Sequence, residues 1–109
     1  MHKTPLLTSS TINKFAGTKN LYLKCENFQK IGAFKARGAC NALLKMDQSI
    51  KNVCTHSSGN HAMALSSMAR TLGKTAYIVM PENSPPLKKK SVATYGANVI
   101  VSGNTVEER

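Results

Sequence analysis

An α/β fold, a parallel sheet with helices on both faces, is what the sequence predicts, and three observations predict it. Strand-like and helix-like segments alternate along the 109 residues. Several of the strand-like segments are apolar on both sides, and turn residues separate one segment from the next. A strand apolar on both sides belongs between two layers, which is the arrangement that helical crossovers between parallel strands produce.

Taken in order, TSSTINKFAG from Thr8 to Gly17 offers hydroxyl caps, then Ile12, Phe15 and Ala16 at helical spacing, then a closing glycine, which predicts a short helix. NLYLKCE, from Asn20 to Glu26, alternates apolar and polar residues and predicts a strand. GAFKARGACNALLKM puts Ala36, Ala39, Cys40, Leu43 and Leu44 on one side of a helix that begins near Ala33. NVCTHSS is a short strand running into a turn. GNHAMALSSMARTLG follows as a helix with Ala62, Leu65, Met68, Ala69 and Leu72 inward, ended by Gly73. TAYIVMP is a nearly continuous apolar strand stopped by Pro81, SPPLKKKSVATYG has proline at a helix start and glycine at its end, and ANVIVSG is another apolar strand. Thr105 and Glu108 are spaced as a capping box, which predicts one more helix opening there. No internal repeat, low-complexity stretch or flexible linker interrupts the chain.

The length is one domain's worth, enough to bury roughly 65% of the surface of the unfolded chain. With 41% hydrophobic and 18% charged residues the composition is that of an ordinary globular protein. No apolar run approaches the roughly 20 residues that span a bilayer, so no membrane partner is expected. The start, MHKTPLLTSS, has two adjacent leucines and no signal-peptide apolar core, so a cytoplasmic location is expected. Cys25, Cys40 and Cys54 match neither a zinc spacing nor a disulfide framework and sit in apolar stretches; buried free thiols and no metal site are expected. Fifteen basic against five acidic residues leave a net charge of +10. The lysines are scattered from Lys3 to Lys90, and the run Lys88-Lys89-Lys90 has no interleaved aromatics, which argues against a nucleic-acid partner. Being the basic part of a larger assembly is the other account of that charge.

Two strand-to-helix turns carry the chemistry, since ligands of parallel sheets bind beyond the carboxyl ends of the strands. In the first, Gly32-Ala33-Phe34-Lys35, a lysine opens a helix whose dipole disfavours an ammonium. Partial burial there favours the free amine, which can attack a carbonyl, and Phe34 can pack on an aromatic ring. The plainer alternative is a solvated lysine lying along the first turn. In the second, THSSGNHAMAL, hydroxyls and unpaired N–H groups at a helix start form a cradle for a carboxylate or phosphate. Its plainer alternative is an ordinary N-cap built from Ser and Asn.

Together KCENFQKIGAFKARGA and THSSGNHAMAL, followed by AYIVMPENSPPLKKKSVATYGANVIV, resemble the pyridoxal-phosphate enzymes of the tryptophan-synthase-β fold type (fold type II). The likeness is greatest to the serine racemase and serine/threonine dehydratase group, and it runs from Thr4 to about Gly103. This resemblance implies that Lys35 holds pyridoxal phosphate covalently and removes the α-proton of serine or threonine from one face. It implies that Phe34 flanks the ring and that Asn60 bonds the cofactor's phenolic oxygen. Ser57, Ser58, Gly59, Asn60 and His61 would embrace the substrate carboxylate, and Ser58 would be the acid/base on the opposite face. In these terms residues 1–109 are a single partial domain, 1–57 belonging to the large domain and 58–109 starting the small one. A homodimer, or pairing with a full-length chain, is the implied assembly.

Departures from the family pattern qualify these expectations. Ala33 stands where the family usually has serine, a small-for-small change. Ser9, Ser10, Thr11, Lys30 and Tyr95 match the nucleotide site of the mammalian-type racemases, whereas Ile31 and Met63 replace polar residues of that site, so ATP is not carried over. The family's acidic metal ligands lie downstream of everything here, which leaves magnesium out as well. Its glycine-rich phosphate loop lies downstream too, and Gly17, Gly32, Gly38, Gly59, Gly73, Gly96 and Gly103 contain no cluster to replace it. An N-terminal fragment of the fold is therefore expected. Three functions compete: a serine racemase or dehydratase-like enzyme, a catalytically incomplete truncated paralogue, and a basic nucleic-acid-binding module.

Overall fold

The computed structural model describes residues 1–105, 107 and 108; Val106 and Arg109 lie outside the described residues. A short hairpin comes first, in which β1 (Leu6–Leu7) pairs antiparallel with β2 (Leu23–Lys24) around α1 (Ser10–Phe15). Two 3-10 turns, Glu26–Phe28 and Lys30–Gly32, lead into α2 (Lys35–Lys45). The chain then alternates through β3 (Asn52–His56), α3 (Asn60–Thr71), β4 (Thr75–Met80), α4 (Pro86–Thr94) and β5 (Asn98–Val101). The last three strands form one parallel sheet in the order β3-β4-β5, with Asn52 beside Thr75 and Tyr77 beside Asn98. This is the α/β parallel architecture that the alternation predicts.

Strand order decides where the helices lie. Parallel strands added successively in one direction through right-handed crossovers put every crossover helix on the same side. Accordingly α3 packs on β3 and β4, and α4 packs on β5 and on α3. Val53, Ala76, Ile78 and Met80 are buried beneath them, whereas Cys54, His56, Tyr77 and Ile100, which alternation turns to the other face, are exposed. Among the described residues the helices thus cover one face of the sheet, and the second covering layer that apolar strands call for comes from none of them. The turn at 57/58, where a division into two portions is expected, joins β3 to α3 within a sheet that β3 shares with β4.

Several local expectations are corrected. The strand expected over Asn20–Glu26 shortens to Leu23–Lys24, because its partner strand is two residues long and neither face finds a covering layer. On α1 no residue is buried and Phe15 is 94% exposed, so its helical spacing marks no core-facing stripe. On α2, Ala36, Ala39 and Leu43 are buried but Leu44 is exposed, since packing on the single helix α3 covers a narrow stripe. The cysteines are free, yet Cys25 and Cys40 are only half-buried and Cys54 is exposed on the open sheet face. At the capping box, Thr105 N–H donates to Glu108 Oε2 at 3.1 Å and Glu108 N–H donates to Thr105 Oγ1 at 3.3 Å. The helix predicted to open there involves Val106 and Arg109 and lies outside the described residues.

A polar clamp fixes the start of α2. Arg37 grips Glu26 with two bonds, Nε to Oε2 and Nη2 to Oε1, both 2.8 Å, and Thr4 Oγ1 donates to Glu26 Oε1 at 2.5 Å. Arg37 Nη2 also reaches the His2 carbonyl at 3.3 Å. The buried Gln29 side chain donates to the His2 carbonyl and accepts from the His2 N–H, each at 2.9 Å, and accepts from the Lys30 N–H at 3.0 Å. The bonds from Arg37 and then Thr4 hold the Glu26 carboxyl at about 2, far below its ordinary 4.5.

Two outcomes are expected. Ile78→Ala should cost about 2–5 kcal/mol in denaturant unfolding and Ile100→Ala less than about 1 kcal/mol; equal losses would mean that both faces of the sheet are covered. Because the folded carboxyl of Glu26 titrates below the unfolded one, its contribution is full above pH 4.5 and is lost as pH falls toward 2. Thermal unfolding against pH should therefore decline less steeply over that window in Glu26→Gln than in the unmodified chain.

Candidate active site

At the carboxyl end of β3 the chain turns through Ser57, Ser58 and Gly59 into α3. The Ser57 N–H donates to the Val79 carbonyl at 3.0 Å, which keeps the turn on the sheet. Its Oγ accepts from the Gly59 N–H and the Ala62 N–H, both at 3.3 Å, so Ser57 caps the helix. The N–H groups of Ser58, Asn60 and His61 and the half-buried Ser58 hydroxyl have no partner among the described residues. Three donors and a hydroxyl at a helix N-terminus, free of internal bonds, form a receptor for an anion. The Asn60 side chain, on the first helical residue, is exposed.

Lys35 is the first residue of α2 and is exposed, the placement of the plainer alternative, a solvated lysine on a first turn. Its Nζ stands 5.3 Å from the centroid of the Phe34 ring, which is itself 60% exposed. No acidic side chain lies in the first turn of α2, and the Lys35 amine has neither an ion pair nor a hydrogen bond among the described residues. A lysine without a counterion beside an exposed ring presents its amine to whatever enters.

α2 packs along α3, and the 3-10 turn Lys30–Gly32 that precedes Phe34 and Lys35 also lies on α3. The electrostatics of His61 report the same closeness: burial, then the charge of Lys35, then that of His56, hold its imidazolium below the ordinary value. Lys35, His56 and His61 thus gather at the start of α3 with no carboxylate among the groups acting on His61. A groove of about 390 Å³ between α2 and β3 reaches His61.

The residues matching a nucleotide site lie on three separate elements. Ser9 caps α1, accepting from the Ile12 N–H at 3.4 Å; Ser10 and Thr11 lie in α1, Lys30 in a 3-10 turn, and Tyr95 ends α4. No hydrogen bond joins these groups among the described residues, and the groove of about 550 Å³ beside α1 takes in Ser10 alone of them. Ile31 and Met63 both pack against the hydrophobic core. Sequence reasoning missed Thr4, Glu26, Gln29 and Arg37, whose partners are mostly distant in the chain, and the backbone of Ile31, which no local pattern signals.

Known proteins share this arrangement. The sequence profile of the family described as pyridoxal-phosphate dependent enzyme matches residues 1–109. The chain is 50% identical over 111 residues to serine racemase of Dictyostelium discoideum and 51% identical to that of Arabidopsis thaliana, matched along 100% of its own length. It spans 34% and 33% of those proteins, about a third of their length. Among solved structures, the serine racemase from Dictyostelium discoideum superposes with a TM-score of 0.90 at 51% identity, over 99% of this chain and 36% of that one. A processed threonine deaminase from Solanum lycopersicum gives 0.86 at 34% identity, over 96% and 31%. With its whole length matched by that family profile, the chain belongs to the pyridoxal-phosphate-dependent enzymes.

Proposed function

We propose that this chain supplies the lysine-bearing half of an active site that works with pyridoxal phosphate at the α-carbon of serine or threonine. One observation carries the reading: an amine without a counterion, Lys35, is near enough to the start of α3 for its charge to act on the His61 imidazole. The residues suit the cofactor. An aldehyde needs an accessible amine, a flat aromatic ring needs an exposed aromatic neighbour such as Phe34, and a carboxylate needs the donors of Ser58, Asn60 and His61. Pyridoxal phosphate, when bound, supplies an electron sink for charge developing at the α-carbon.

In this reading the Lys35 amine would hold the cofactor and, when that amine is free, would take the α-proton on one face. The Ser58 hydroxyl holds or returns a proton on the other face. The backbone N–H groups at the start of α3 orient the carboxylate, Ser57 keeps that turn in shape, and Asn60 reaches the cofactor's phenolic oxygen. Serine and threonine are the substrates suggested by relatives named serine racemase and threonine deaminase. A homodimer, or association with a full-length chain, would complete the site.

A second reading, a chain that takes up the cofactor weakly and turns over little, is favoured by one observation: Gly17, Gly32, Gly38, Gly59, Gly73, Gly96 and Gly103 stand singly along the sequence, with no cluster to hold a phosphate.

Borohydride reduction of the chain with pyridoxal phosphate, followed by peptide mapping, should place the label on Lys35, and Lys35→Ala should remove it while Ser58→Ala keeps it. A label spread evenly over the surface lysines would refute the lysine assignment, and stoichiometric pyridoxal phosphate that survives dialysis before any reduction would remove the weak-binding reading. With L-serine, Ser58→Ala should lower D-serine formation by about 10²–10⁴ and leave pyruvate release largely intact. Equal loss of both would reduce Ser58 to a group that only orients the carboxylate.

A further inference from the structure

Ile31 has φ 59° and ψ 12°, and among the described residues it is the one non-glycine residue with a positive φ. A β-branched side chain in the left-handed region crowds its own backbone, and such a conformation persists only where the surroundings impose it. Gly32 follows at φ 69°, so two left-handed residues in succession turn the chain just before Phe34 and Lys35. Before the turn, the Gly32 N–H donates to the Gln29 carbonyl at 2.9 Å, and the side chain of Gln29 is itself held by His2. After it, Ala33 is extended and buried. Glycine at position 31 would make the same turn without strain. What glycine lacks is a side chain, and that of Ile31 packs against the hydrophobic core, in a 3-10 turn that lies on α3.

We propose that Ile31 is a positioning residue for Lys35: its side chain anchors a strained left-handed turn on the core, and that turn holds the Lys35 amine up to the N-terminus of α3. The importance of that amine rests on the cofactor reading given above, but the geometry can be tested apart from it. Lys35 acts from α2 and His56 from the end of β3 on the imidazole of His61, so the His61 titration, followed by NMR, measures how near the Lys35 charge is held.

Lys35→Met should raise the His61 midpoint by removing a neighbouring positive charge. Ile31→Gly, which keeps the turn but loses the anchor, should raise it as well, and Ile31→Val, which keeps an apolar β-branched anchor, should leave it near the unmodified value. In parallel, the share of pyridoxal label fixed at Lys35, against the other lysines, should fall about fivefold in Ile31→Gly and recover in Ile31→Val. Should Ile31→Gly not fold, Ile31→Asn is read the same way, since asparagine tolerates left-handed backbone and lacks the apolar anchor. A folded Ile31→Gly whose His61 titrates as in the unmodified chain, while Lys35→Met shifts it, overturns the proposal. So does an unshifted His61 in Lys35→Met, because Lys35 would then not be near α3. Absence of label at Lys35 in the unmodified chain would defeat the cofactor reading, and the His61 titration would still decide the role of Ile31.

Discussion

Close packing of α2 against α3 is the contact on which the site depends. The buried stripe of α2 contains Ala36 and Ala39, and that of α3 contains Ala62, Ala64 and Ala69, all nearly or wholly inaccessible to solvent. Small side chains at a helix contact let the axes approach, and here the approach sets the N-terminal turns of two helices near each other. Each turn alone is an unremarkable helix start. Together they put an amine without a counterion within electrostatic reach of His61, which His56 also reaches.

Such a gathering of positive groups is unfavourable in itself, since two helix N-termini and three basic side chains repel one another. The lowered His61 reflects burial first and, after it, the charges of Lys35 and His56. What resists the repulsion lies outside the site: the Arg37–Glu26 pair, Thr4 and Gln29 tie the N-terminal segment and the 3-10 turns to α2, and Ile31 presses the intervening turn onto the core. The parallel sheet holds the other half in the same way, through the Ser57 N–H on the Val79 carbonyl.

The sheet is covered on one face by the described helices. Its helix-covered face is a packed core around Ile78, Met80 and Val92, while the opposite face leaves Tyr77 and Ile100 in contact with water. Strand order accounts for this, because β3-β4-β5 grows in one direction and keeps both crossover helices on one side. The chain spans about a third of the length of the serine racemases it matches.

By itself the sequence determined the local, periodic features and the chemistry that depends on residue identity. Alternating patterns, proline and glycine punctuation and hydroxyl caps marked α2, α3, β3, β4, α4 and β5, and the two motifs around Lys35 and Ser58 pointed to the family. It did so because helix period, strand alternation and capping act over a few residues. Tertiary structure decided what depends on distant partners. The shrinkage of the strand at Asn20–Glu26, the exposure of Phe15, Leu44 and Cys54 and the single covered face of the sheet follow from which layers are present to meet them. The pairing of Glu26 with Arg37 across eleven positions and the left-handed backbone of Ile31 have no local signature, because charge partners and strained turns are selected by the packed chain around them and not by sequence neighbours.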